Sequence, residues 1–125
     1  MLRGSFDPNE EIAERLTTVR RFPPRVSRET AELPDVVTVR AWVRALHREH
    51  DVQVHVRRRW GVLAVVADRK NPITVIVSGH EHSWVAEPPG APDRTDLTTE
   101  QIENVTIEAL TSPERPAWPH WRLLT

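Results

Sequence analysis

A run of alternating residues in the middle of the chain restricts its fold more than any other feature. Val52, Val54 and Val56 alternate with Gln53, His55 and Arg57, the two-residue period of a strand with one buried face. Gly61 marks a turn into Val62-Leu63-Ala64-Val65-Val66-Ala67, apolar on both faces and therefore expected inside a sheet. After a polar turn at 68–72, residues 73–77 predict a third strand and residues 83–86 a fourth. Connections this short predict antiparallel neighbours, because parallel strands need crossovers of a dozen residues or more.

Helical signals flank this block. Asp7 as cap, Pro8 at the first helical position and Glu10 three residues after the cap open a predicted helix over residues 7–22. Ile12, Leu16 and Val19 form its apolar stripe, and Pro23-Pro24 stop it. A second helix is predicted over 36–50, opened by Asp35, with Val39, Val43 and Leu46 on one face and Trp42 beside them. A third starts near Thr98 with Gln101 as its capping partner and turns Ile102, Val105 and Ala109 inward. Residues 23–35 read as an extended connector and residues 112–125 as a tail containing proline and tryptophan. The expected fold is α+β: a three- to four-stranded antiparallel meander with two N-terminal helices and one C-terminal helix packed mainly on one face. The 125 residues make one domain, a size that buries roughly two-thirds of the unfolded surface.

Several functional classes lose support at this point. No apolar window of membrane-spanning length occurs, the opening residues 1–6 lack a signal-type apolar region, and there is no cysteine. A cytoplasmic setting is expected. Neither a phosphate-binding loop nor a nucleophile elbow nor a dinucleotide fingerprint is present, and no cofactor is called for. Glu81 and Glu87 flank a strand as a pair of carboxylates, an arrangement expected to be solvated.

Three sets of residues remain as candidates. The first is basic. Residues 37–80 carry eight basic and three acidic side chains, whereas residues 81–125 carry three and eight. Arg40, Arg44 and Arg48 recur along one helical row, and Arg57 and Arg59 share a strand face with His55. Converged on one surface these would suit nucleic acid, with Trp60 or Trp84 able to stack on an unpaired base. An acidic last helix covering the same charges is the plainer alternative. Sixteen arginines against one lysine fit a GC-rich coding sequence, so single arginines carry little weight.

The second set is His80 and His82, which flank Glu81 at the spacing of a two-histidine metal site. Their position directly after a strand, beside Gly79, favours a hairpin turn over a chelating strand. The third set is Trp118, Trp121, Leu123 and Leu124 in the tail. Burying one large apolar side chain gains roughly 1.5–3 kcal/mol, so the tail is expected either to pack on its own domain or to dock into a partner. The leading expectation is a small non-catalytic protein-interaction or regulatory module that meets a protein partner or a second copy in a homodimer. A nucleic-acid-binding regulator is the alternative, and a metal-binding protein the second alternative.

Overall fold

The computed structural model describes residues 14–22, 25–33, 35–48, 51–68, 73–90 and 96–124. In chain order these form β1 (Arg15–Phe22), β2 (Arg25–Ala31), α1 (Val36–Ala45), β3 (Val52–Arg58), β4 (Gly61–Ala67), β5 (Thr74–Ser78), β6 (Ser83–Glu87), α2 (Thr99–Ala109) and β7 (His120–Leu123). The strands join in one antiparallel sheet of order β2-β1-β3-β4-β5-β6-β7. A seven-stranded sheet with two helices among the described residues thus replaces the expected three- to four-stranded meander with two N-terminal helices and one C-terminal helix.

The central block folds as its alternation dictates. Val54 lies opposite Val65, and Val65 opposite Val75, so one face of three adjacent strands is built from valine. Val39 and Val43 of α1 and Ile102, Val105 and Ala109 of α2 close over that face as one core. The two helices begin where their capping residues place them. Asp35 accepts from the Thr38 backbone N–H at 3.0 Å and from its hydroxyl at 2.6 Å, which holds the Asp35 carboxyl below its usual value. Thr98 and Gln101 form a reciprocal capping box at the start of α2. α1 ends at Ala45, five residues short of its expected end.

Three expected segments are different. The helix predicted over 7–22 is a strand from Arg15 onward, and residues 7–13 lie outside the described residues. Leu16 and Val19, placed together on its apolar stripe, face opposite sides of the sheet: Leu16 stands across from Val56 in the core, Val19 across from Gln53. Thr17-Thr18-Val19 is a β-branched triplet, stiff at χ1 and suited to a pleated backbone. The extended connector at 23–35 contains β2, which pairs along its length with β1. The tail contains β7, which pairs with β6 and sets Trp121 opposite Ala86.

Gly61 makes the β3–β4 turn possible. Its φ is +145°, and a side chain there would overlap the Ser78 carbonyl oxygen on β5. No helix among the described residues is long and apolar enough to cross a membrane.

Candidate functional site

The arginine set does not converge. Arg40 and Arg44 lie on α1, in the helical layer, and both bind Glu103 of α2. Arg40 Nε meets Glu103 Oε1 at 2.7 Å, while Arg44 makes two bonds of 3.2 Å to the same carboxylate. One carboxylate of the last helix therefore pairs with both, while their side chains stay 45% and 62% exposed. Arg48 is exposed in the turn after α1, and Arg59 lies in the β3–β4 turn. Arg57 is an odd-numbered residue of β3 and faces away from the valine core, on the side of the sheet opposite the helices.

That side gathers a different group. Arg15 of β1 stands directly opposite Arg57 of β3. One rung further along, Thr30, Thr17 and His55 stand side by side on β2, β1 and β3. These five, with Val19 and Val62, line a pocket of about 250 Å³. His55 Nε2 lies 2.9 Å from the Gln53 side-chain oxygen, two residues away on the same face, which fixes the ring. A second hollow of about 240 Å³ adjoins at the end of the sheet, lined by Arg57, Arg58, Arg59, Ser78 and His80 among others. Between these hollows and β6 runs a half-exposed apolar strip of Val62, Ala64, Val66 and Ile76.

Arg15, Thr17 and Thr30 are not among the residues expected at a site, because the sequence predicts a helix over the first two and a connector over the third. The β-branched run beginning at Thr17 was the available signal.

Trp60 and Trp84 lie on the helix side of the sheet, away from Arg57, where with Val77, Glu114 and Arg115 they line a hollow of about 260 Å³. Trp60 Nε1–H donates to the Ser112 carbonyl at 3.1 Å, and Arg115 lies 4.3 Å above the Trp84 ring. Both indoles pack against the core. His80 and His82 are exposed in the tight β5–β6 turn, closed by a 2.8 Å bond from the Gly79 N–H to the His82 carbonyl. The His82 ring meets Trp84 edge-on at 5.9 Å. Among the described residues no three histidines or carboxylates gather in a way that holds a metal ion.

The tail divides. Trp118 and Trp121 pack in cis against the core, and Trp121 Nε1–H donates to the Pro116 carbonyl at 2.7 Å. Leu123 and Leu124 remain 54% and 43% exposed at the β7 edge. Glu81 is exposed as expected, but Glu87 is only 1% exposed. Its Oε2 accepts from Arg122 Nε at 3.0 Å, and Oε1 lies 3.7 Å from His120 Nε2 without a hydrogen bond.

Comparison of the chain with protein-family models, with curated proteins and with solved structures finds no match in any of the three.

Proposed function

We propose that the chain is a non-catalytic protein-interaction module of accessory or regulatory character, and that it receives an acidic, extended segment of a partner on the sheet face opposite the helices. The observation that carries this reading is the arrangement of that face. Both described helices pack on the other side, and here Arg15 and Arg57 stand beside the apolar strip of Val62, Ala64, Val66 and Ile76. Charge complementarity selects an acidic occupant, and the strip selects one with alternate apolar side chains.

Nucleic acid is the second reading, supported by the same pair of arginines together with Arg59. It is weakened by the engagement of Arg40 and Arg44 with Glu103 and by the placing of Trp60 and Trp84 on the helix side of the sheet, away from Arg15 and Arg57. Titration of the 15N-labelled chain with a capped (Glu-Val)4 peptide, and separately with oligothymidylate, tests both readings. The peptide is expected to shift amides of Arg15, Thr17, Arg57, Val62 and Ile76, with binding that weakens as salt rises and falls at least tenfold in Arg57→Glu. No shifts at low salt, or shifts confined to α1 and α2, would overturn the proposal. Tighter binding of oligothymidylate than of peptide would replace it with the second reading.

A further inference from the structure

Two neighbouring rungs of the exposed sheet face bring polar side chains together around one pocket. Arg15 and Arg57 form one rung, and Thr30, Thr17 and His55 the other, all around a single pocket of about 250 Å³. Directly opposed side chains on antiparallel strands lie roughly 5 Å apart at Cβ, and like charges in that position destabilise the sheet. Among the described residues neither guanidinium has a carboxylate partner. Glu14, next to Arg15 in the chain, is bound to Arg58 on the other side of the sheet. The opposed arginines are thus a standing repulsion that an anion in the pocket would remove.

We infer that this pocket binds a phosphate monoester, presented as a phosphoserine or phosphothreonine side chain of the partner segment. The inference rests on the docking reading above and names the group that anchors the segment. A phosphomonoester brings close to two negative charges and three terminal oxygens near neutral pH. Two guanidiniums match the two charges, each offering paired N–H donors to two oxygens at once. The Thr17 and Thr30 hydroxyls supply donors for the remaining oxygen. A carboxylate brings one charge and leaves one arginine uncompensated. A phosphodiester also brings one charge and is substituted on two sides, which suits a lined pocket less well than a single-ended group.

Isothermal calorimetry in phosphate-free buffer tests this with five probes: a Val-Val-phosphoserine-Val-Val peptide, its serine form, its glutamate form, inorganic phosphate and oligothymidylate. The phosphopeptide is expected to bind at least tenfold tighter than the serine and glutamate forms. Inorganic phosphate is expected to compete weakly. Arg15→Gln and Arg57→Gln are each expected to reduce phosphopeptide affinity tenfold or more while keeping a melting temperature at or above that of the parent chain, because each relieves the repulsion. The inference is overturned if phosphorylation adds nothing, or if both variants bind as the parent does. Inorganic phosphate binding as tightly as the phosphopeptide would make this a free-phosphate site, and tighter binding of oligothymidylate would make it a nucleic-acid site; either result overturns the inference. Should (Glu-Val)4 still shift this face while phosphate adds nothing, the anchor fails and the docking reading stands. Should neither bind, both fail.

Discussion

Arg58 links three distant parts of the chain through one side chain. It points toward the helices, where its Nη1 donates to the Ala109 carbonyl at 2.6 Å and its Nε donates to Glu14. The first bond satisfies a carbonyl that α2 leaves open at its C-terminus and sets a cation against the negative end of the helix dipole. The second holds the Glu14 carboxyl below its usual value, with help from the Arg59 backbone N–H and against the effect of burial. A carboxyl depressed in the folded state contributes stability above its unfolded value and loses it as the pH falls through the folded one. Urea unfolding followed from pH 6 to pH 3 is therefore expected to show an acid loss that is shallower in Glu14→Gln. Equal slopes in the two proteins would show that this pair does not couple to folding. Nothing in a single sequence reveals such a link, because Arg58 and Glu14 are separated by 44 residues. The opposition of Arg15 and Arg57 was hidden for the same reason.

At the level of elements, local signals were legible wherever a segment carries its own boundary chemistry. Asp35 and Thr98 announce α1 and α2, and alternating valines announce β3 through β5. β1 was misread because Leu16 and Val19 happen to fit a helical stripe, although the Thr17-Thr18-Val19 run disfavours helix. β2 and β7 are border strands with few apolar residues and prolines nearby, so neither displays a period of its own. β7 owes its place to contacts made after folding, chiefly Trp121 on the core and Arg122 on the buried Glu87. Removing one member of a buried ion pair leaves an uncompensated charge and typically costs 3–5 kcal/mol. Because Arg122 is half exposed, Arg122→Ala is expected to lower stability by about 2 kcal/mol in urea melts, with most of the loss restored when Glu87→Gln is added. If the double variant is no more stable than the single one, Glu87 is not the reason β7 stays docked.

Across the whole molecule, the charge segregation seen along the chain is met in part by one contact between α1 and α2. The positive central segment meets the negative C-terminal third where Arg40 and Arg44 grip Glu103, a carboxylate that is 14% exposed. A single sequence supplies the two sums but not their contact, since α1 and α2 are separated by four strands. Glu103→Gln is expected to release both guanidiniums and raise affinity for duplex DNA at low salt. The dependence of log K on log salt should then steepen by up to about 1.8, at roughly 0.9 per phosphate neutralised. A fluorescence anisotropy titration at several salt concentrations measures this, and an unchanged slope would show that Glu103 is not what keeps the α1 row from phosphate.

The position of β1 between β2 and β3 makes the two ends of the chain unequal. Loss of β7 leaves the six remaining strands adjacent, at the cost of Trp121 on the core and of Arg122 on the buried Glu87. Losing the first strand instead opens a gap in the interior and orphans β2, its only neighbour on that side. During synthesis β1, the earliest of the described strands, therefore has to wait for β3 to emerge before its second edge is occupied.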